Sequence, residues 1–288
     1  MTGRGLARAA LVAGVLLLAA SYAGALHPAA DSLAVGRPFL ALLLLGGGLA
    51  VRARVGAMAV MAGIAALAPI LWMMRPAAPP DGQGIVVYQK NLLYSVSDPS
   101  AVAADIRQSG ADLALLQELS ARNGGIAAAL ADRLPHQVIC PAATAGTVAI
   151  LSRWPLAAKP DCAADIGMAA VRLETPAGPL TAVSLHLTWP WPRDQAGQVD
   201  RLLPRLDALA GPVVLGGDFN AVPWSQTVAR IAGATGTRRA GPVRASFLLG
   251  GLPLTIDHVL APRDWQAAST IRPRFGSDHR GQRVSLGP

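Results

Sequence analysis

The stretch VVLGGDFNAVP, residues 213–223, decides how the rest of the chain is read. Val213, Val214 and Leu215 are apolar and end a core strand. Gly216 and Gly217 let the backbone turn or approach another segment closely. Asp218 and Asn220 are then left at a strand end, where sites are commonly built. The same letters also describe an ordinary Asx turn, since Gly, Asp and Asn punctuate turns in most proteins. The rest of the chain has to choose between a turn and a site.

Outward from this stretch, the same event recurs. An apolar strand at 85–87 runs into Gln89, Lys90 and Asn91, and Ser97, Asp98 and Pro99 then start a helix that Gly110 stops. A second buried strand at 111–116 ends in Gln117 and Glu118. A helix is predicted over 123–134 and a strand over 147–151. A hairpin at 171–173 and 180–187 turns on TPAGP and carries His186 at the end of its second strand. Helices follow at 195–209, bent at Pro204, and at 224–232. Residues 254–260 carry Asp257 and His258, and the last strands flank GSDHRG with Asp278 and His279. A lone acid is usually a cap and a lone histidine usually structural. Polar residues repeated at strand ends point instead to one shared site.

The composition is that of two proteins joined. The chain is 52% hydrophobic over 288 residues, and the excess is concentrated before Met74. Segments 11–26, 33–51 and 55–74 are apolar runs of about the 17 to 25 residues that a membrane-spanning helix needs. Three buried helices of a soluble domain would show a polar face, and these do not. Arg4 and Arg8 precede the first run and Arg52 and Arg54 separate the second from the third, while HPAADS between the first two has no Lys or Arg. The positive-inside tendency then puts the amino terminus in the cytoplasm and everything after Met74 outside, at the bacterial inner membrane on the periplasmic side. Arg37 and Arg75 count weakly against this. The AGA at 23–25 also fits a signal-peptidase site, and cleavage there would leave two spans.

Residues 75–84, RPAAPPDGQG, form a Pro/Gly-rich linker too short to let the following domain, 85–288, wander from the bilayer. Six of the 25 Lys and Arg lie before residue 84, and the remainder is only mildly basic, which does not announce a nucleic-acid partner. Cys140 and Cys162 are the only cysteines. They either pair in an oxidising compartment or stay as small buried hydrophobes, and without neighbouring ligands they make no zinc site.

The ordered set NLLY, LLQE, SLH, GGDFN, IDH and GSDH resembles the endonuclease/exonuclease/phosphatase superfamily, over about residues 84–286. GTVAILSRWPL, 146–156, also resembles that family's strand before its histidine. The resemblance implies an α/β fold, a four-layer sandwich of two mixed β-sheets flanked by helices, here preceded by transmembrane helices. It also implies a site where strand ends converge. Cleaving a phosphodiester requires charge neutralisation, an aligned water and a stabilised leaving oxygen. Glu118 and Asn91 offer hard oxygen ligands suited to Mg²⁺ or Mn²⁺, and Asp278 adds a further metal contact. Asp218 is similar in position to the family's water-orienting acid, with Asn220 steadying it or donating to a phosphate oxygen. Asp257 resembles the partner that fixes the tautomer of His279, and cationic His279 would stabilise the pentacoordinate phosphorus. His186 would bind phosphate or protonate the leaving group. Some nucleases of the family pair that histidine with a carboxylate that this chain lacks between Asp132 and Asp161, so phosphate binding is the safer role. His27, His136 and His258 are read as structural.

The expected function is a membrane-anchored, divalent-metal-dependent phosphodiester or phosphate ester hydrolase. A nuclease would need a cationic groove, for which Arg238, Arg239, Arg244, Arg272, Arg274 and Arg280 are candidates, and nucleic acid is the favoured substrate on this reading. A lipid phosphodiesterase of the sphingomyelinase type would need an apolar rim toward the bilayer, for which TWPWP with Trp189 and Trp191 is the candidate. A non-catalytic scaffold with a relic site would have lost an essential polar residue, and each major position is filled. The loops do not select the substrate, and the oligomeric state is not written in the sequence.

Overall fold

The computed structural model describes residues 3–80, 84–142 and 146–288. It opens with α1 (Gly3–Ala20), α2 (Pro28–Ala50) and α3 (Arg54–Met73), each long and apolar enough to cross a membrane. At about 1.5 Å per residue they span roughly 27 to 35 Å, against a hydrocarbon core of about 30 Å. Helix α2 packs on α3 at backbone distance: a Cβ on Gly63 would stand 2.7 Å from the Ala41 carbonyl oxygen, and one on Gly48 would stand 2.7 Å from that of Gly56. Small residues serve this purpose where no water drives helices together. The first helix lies earlier than the expected 11–26. It starts at Gly3 and stops at Ala20, after which Ser21 and Tyr22 form a turn. Helix α2 starts ahead of the expected residue 33, because the His27 ring accepts from the Ala29 N–H at 3.1 Å and Pro28 takes the first position. In the 75–84 linker, residues 76–80 have no regular structure and 81–83 lie outside the described residues.

The remainder runs β1 (Ile85–Asn91), α4 (Ser100–Ser109), β2 (Leu113–Leu119), α5 (Gly125–Ala129), β3 (His136–Pro141), β4 (Thr147–Ser152), β5 (Asp161–Ala163), β6 (Met168–Thr175), β7 (Gly178–His186), α6 (Gln195–Asp207), β8 (Val213–Asp218) and α7 (Gln226–Ala234). It closes with β9 (Thr237–Arg239), β10 (Phe247–Leu249), β11 (Leu252–Leu254), β12 (Asp257–Pro262), β13 (Gln266–Arg272) and β14 (Gly281–Gly287). One six-stranded sheet has the order β13-β14-β1-β2-β4-β3, and the other β5-β6-β7-β8-β12-β9. Each is mixed, with β1 parallel to β2 and β7 parallel to β8 among antiparallel neighbours.

Strand periodicity builds the layers. In the first sheet Val87, Leu113 and Leu115 face the second sheet, while Tyr88, Ala114 and Leu116 face α4 and α5. On the other side Val183, Leu185 and Leu215 pack beneath α6 and α7. The result is helices, sheet, sheet, helices, the four-layer α/β sandwich that the resemblance implied.

Several local expectations needed revision. The helix expected over 123–134 forms only at Gly125–Ala129. Two glycines delay its start, and Arg107 ends it from outside by donating to the Ala129 carbonyl and to Asp132. The short strands β3, β5, β9, β10 and β11 are too brief to stand out as periodic runs. Cys140 and Cys162 form a disulfide across a Cα separation of 5.3 Å. It joins β3, at the edge of one sheet, to β5, at the edge of the other.

Register then determines where the polar ends meet. Asn91 pairs with Gln117, beside Glu118, and His186 pairs with Asp218, which pairs in turn with Asp257. The loop before β14 brings Asp278 and His279 to the same edge.

Candidate active site

The glycines of the 213–223 stretch serve close approach rather than a turn. Both lie inside β8. A Cβ on Gly216 would stand 2.8 Å from Leu115 Cδ1 and 3.3 Å from Gln89 Cγ, so this glycine lets the two sheets touch at the site. A Cβ on Gly217 would collide with the Leu185 carbonyl of the neighbouring strand. The turn comes two residues later. Asn220 adopts φ +47°, and its backbone N–H donates to Asp218 Oδ1 at 2.9 Å. The stretch is thus both an Asx turn and a site, because the turn is what fixes the carboxylate.

Asp257 and His279 form a buried pair. His279 Nδ1 donates to Asp257 Oδ2 at 2.8 Å, leaving Nε2 at 3.6 Å from Asp218 Oδ2 and 3.8 Å from Asp278 Oδ1. Burial would strip the ring of its proton, but the Asp257 and Asp218 carboxylates outweigh it and push the imidazole up to about 10. Burial likewise works against the Asp257 carboxylate, and the His279 charge holds it below the usual range. Burial pushes the Asp218 carboxyl up to about 6 in spite of the two nearby imidazoles. Asp257 is held further by Gln89 Nε2 at 3.1 Å, and its backbone N–H donates to Ser246 Oγ at 3.2 Å.

Glu118 ends β2 at φ +60°, a left-handed backbone that is strained for a residue with a side chain. Its Oε2 accepts from the Tyr94 N–H at 3.0 Å and its Oε1 from Asn91 Nδ2 at 2.9 Å. The same Asn91 nitrogen lies 3.0 Å from Asp218 Oδ2, while Asn91 Oδ1 accepts from the Leu93 N–H. Asn91 therefore presents an N–H donor to both acids, and its oxygen, which accepts from the Leu93 N–H, keeps a second lone pair. In this arrangement it positions Glu118 and Asp218. His186 Nε2 lies 3.7 Å from Glu118 Oε1 and 3.8 Å from Asp218 Oδ2.

Six of the expected residues, Glu118, His186, Asp218, Asn220, Asp278 and His279, line one cavity of about 200 Å³ that Trp189 and Phe247 help to close. Asp257 and Asn91 support them from beneath. Asn220 holds the Asp218 carboxylate through its backbone N–H, while its side-chain amide donates to the Leu187 carbonyl at 2.8 Å and its buried Oδ1 has no partner in the protein. His258, on the opposite face, meets the Phe219 ring edge to face at 5.1 Å and the Ala221 carbonyl at 2.7 Å. Burial lowers its pKa to about 4, so it is a neutral structural residue.

The donor set fits a divalent cation. Asp218, Asp257 and His279 place one ligand atom each within 4.8 Å of one another, a set that takes a cation only with His279 unprotonated. Glu118 and Asp278 add carboxylates to the same cavity, and hard oxygen donors suit Mg²⁺ or Mn²⁺.

The arginines proposed for a groove are mostly engaged elsewhere. Arg272 pairs with buried Asp105, and Arg239 and Arg244 donate to the Met73 and Met74 carbonyls. Arg238 donates to the Arg263 and Trp265 carbonyls, and none of the six lines the cavity. Sequence reasoning passed over the braces beneath the site. Gln89 donates to Gln117, Gln117 to Ser184, and Lys90 to the His279 carbonyl at 2.9 Å. Burial lowers the Lys90 ammonium to about 8. The signal was available, since Gln89 and Lys90 are polar residues inside a strand that should be buried.

The sequence profile of the Endonuclease/Exonuclease/phosphatase family matches residues 89–279. No curated protein matches by sequence. Among solved structures, an endonuclease/exonuclease/phosphatase from Beutenbergia cavernae superposes with a TM-score of 0.59 at 20% identity, covering 71% of this chain and 72% of that one. One from Bacteroides vulgatus gives 0.57 at 16%, covering 72% and 99%. Sphingomyelinase C from Streptomyces griseocarneus gives 0.51 at 20%, covering 71% and 99%. At these identities the likeness is one of fold.

Proposed function

The chain belongs to the endonuclease/exonuclease/phosphatase family and is a metal-dependent hydrolase, and from that premise we propose that it cleaves phosphodiesters or phosphate esters outside the membrane that its helices cross. The observation that carries this reading is the meeting of Glu118, Asp218, His186 and His279 around one cavity, with His279 fixed by Asp257.

A bound Mg²⁺ or Mn²⁺ would neutralise the phosphate and lower the pKa of an attached water. Glu118 and Asp278 hold the cation in this reading, with Asn91 fixing the Glu118 carboxylate. Asp218 orients the attacking water and takes its proton, a role that suits a carboxyl raised toward neutrality. His279, kept cationic by Asp257, faces the charge that builds on the equatorial oxygens. His186 binds a phosphate oxygen. Asn220 sets the turn, and its free Oδ1 is open to a water or a substrate hydroxyl.

Orientation rests on the arginines. Arg4, Arg8 and Arg52 share one cavity at the far ends of the helices, while the catalytic part contacts the opposite ends at Ser32 and Met73. The positive-inside tendency then places the catalytic part outside the cytoplasm. The Cys140–Cys162 bond fits an oxidising compartment.

The test is hydrolysis of bis(p-nitrophenyl) phosphate by the detergent-solubilised full chain. Turnover should require Mg²⁺ or Mn²⁺, vanish with chelator and return on adding the cation. Turnover indifferent to chelation, or none with either ion, would sink the reading.

A further inference from the structure

We propose that the mouth of this site rests on the lipid surface, so that the phosphoester it takes is carried by a membrane lipid. This deepens the hydrolase reading above and rests on it. The observations are the way the catalytic part is clamped to its own helices and the residues that this clamp leaves exposed.

Both walls of the mouth are tied to the outer helix ends. On one side Ser32, in the first turns of α2, donates to the Trp191 carbonyl at 2.7 Å, two residues from Trp189. On the other, the Val243 N–H donates to the Met73 carbonyl at 2.7 Å and Arg244 to that of Met74 at 2.7 Å, three residues before Phe247. Trp189 and Phe247 meet across the mouth with ring centroids 6.0 Å apart. At about 3.5 Å per residue, the backbone from Trp191 to Trp189 spans at most roughly 7 Å and that from Val243 to Phe247 at most roughly 14 Å. These lengths are one to two times the headgroup layer, which adds about 5 to 7 Å to each face of the hydrocarbon core.

The clamp does not hang on these bonds alone. Asp31 of α2 accepts from the Gln226 and Thr227 N–H groups at the start of α7, at 2.7 and 2.9 Å. The Trp224 ring N–H donates to the Ala34 carbonyl at 2.7 Å. The catalytic part is thus held at a fixed height and tilt rather than swinging on the linker.

Beside the cavity the clamp leaves a group of large apolar side chains exposed. The β10–β11 hairpin, which carries Phe247, exposes Leu248, Leu249 and Leu252 by 43%, 47% and 49%, and Trp189 is 41% exposed. Four large apolar side chains beside a catalytic cavity are costly in water. Tyr22 after α1 and Trp72 near the end of α3 are also exposed, at helix ends, where aromatic residues collect in membrane proteins. None of the six candidate arginines lines the cavity, and Arg272 spends its charge on Asp105. The occupant that fits an apolar rim around a phosphate-sized polar cavity is a lipid whose chains stay in the bilayer while its phosphoester enters.

The experiment uses the full chain in nanodiscs of phosphatidylcholine and phosphatidylglycerol in equal parts. Leu249→Cys carries an environment-sensitive fluorophore, and Ala177→Cys, in the exposed turn at the far end of β7, is the control. Nitroxide-labelled lipid should quench the label at 249 and spare the one at 177. No quenching at 249, or equal quenching at both, overturns the membrane contact. In the same discs, two p-nitrophenyl phosphodiesters of identical reacting bond are compared, one with an ethyl and one with a hexadecyl second ester. The hexadecyl ester should turn over at least ~10-fold faster, since it shares the surface with the site. The combined Leu248→Ser, Leu249→Ser and Leu252→Ser variant should lose that advantage while keeping the ethyl rate. Equal rates in the parent, or an oligodeoxynucleotide cut faster than the hexadecyl ester, overturn the lipid substrate. Quenching at 249 with no hydrolysis of either ester would leave the contact standing and overturn the hydrolase reading beneath it.

Discussion

Asn91 Nδ2 donates to Glu118 Oε1 at 2.9 Å, so the amide nitrogen of the first strand end holds the carboxylate of the second. Asn91 then acts on a cation through Glu118. Asn91→Ala should weaken Mn²⁺ binding by about 10- to 100-fold, the usual cost of removing a group that orients a ligand. Glu118→Gln should abolish most cation-dependent turnover with the fold intact, because an amide oxygen is a poorer hard ligand. Isothermal titration with Mn²⁺ checks both, and unchanged affinity in Glu118→Gln would remove Glu118 from the site.

Asp218→Asn nearly conserves size and burial but removes the base, and should lower kcat by roughly 10² to 10⁴ with little change in KM. Asn220 holds Asp218 through its backbone N–H at φ +47°, so the two substitutions at 220 should differ in stability. Asn220→Gly keeps the left-handed turn, whereas Asn220→Ala strains it. A lower melting temperature for the glycine variant than for the alanine variant would contradict this account of the turn.

Adjacent glycines should respond unequally. Gly217→Ala drives a methyl into the Leu185 carbonyl, which is backbone in a paired strand and cannot yield. Gly216→Ala meets the tip of Leu115 and the stem of Gln89, which can rotate. Overpacking of this kind costs about 1 to 3 kcal/mol, and the larger loss belongs to Gly217→Ala. Thermal unfolding in detergent reads the order, and a reversed order would show that the sheets, not the paired strands, set the limit.

Acid stability should carry the signature of His258. Its pKa is lowered to about 4 by burial, with Arg239 lowering it further and Asp257 and the Ala221 carbonyl opposing. The unfolded chain binds this proton near pH 6.5, so stability is lost as pH falls from there toward 4, by roughly 3 kcal/mol in full. His258→Gln has no such proton. Its melting temperature should fall less steeply than the parent's over that window, and parallel curves would mean that the ring is charged or exposed.

The disulfide and the orientation are checked together. If the catalytic part lies outside the cytoplasm, alkaline phosphatase fused after residue 84 should be active in a Gram-negative host, and Cys140 and Cys162 of the full chain should resist thiol labelling. Replacing both by serine should cost roughly 3 kcal/mol of stability. Activity of a cytoplasmic reporter alone at that position would reverse the orientation.

The sequence by itself determined the elements and the chemistry. Three apolar runs of bilayer length and strands ending in polar residues are local signals, because hydrophobic periodicity and polar punctuation are written within a few residues of each other. Asn91, Glu118, His186, Asp218, Asp257 and His279 could be named from that pattern. Local pattern does not encode pairing. That Asn91 turns its nitrogen to Glu118, that Arg239 and Arg244 reach the end of α3 and that Arg272 reaches Asp105 all depend on partners far away in the chain. The Cys140–Cys162 pairing stayed open for the same reason, since it needs the edges of two sheets brought together. The seating of the catalytic part on the ends of the apolar helices was decided only in tertiary structure, where Ser32 meets Trp191 and Met73 meets Val243 across more than half the chain. Contacts at such separation depend on which faces are left to bury once the layers have formed, and no window of sequence contains that information.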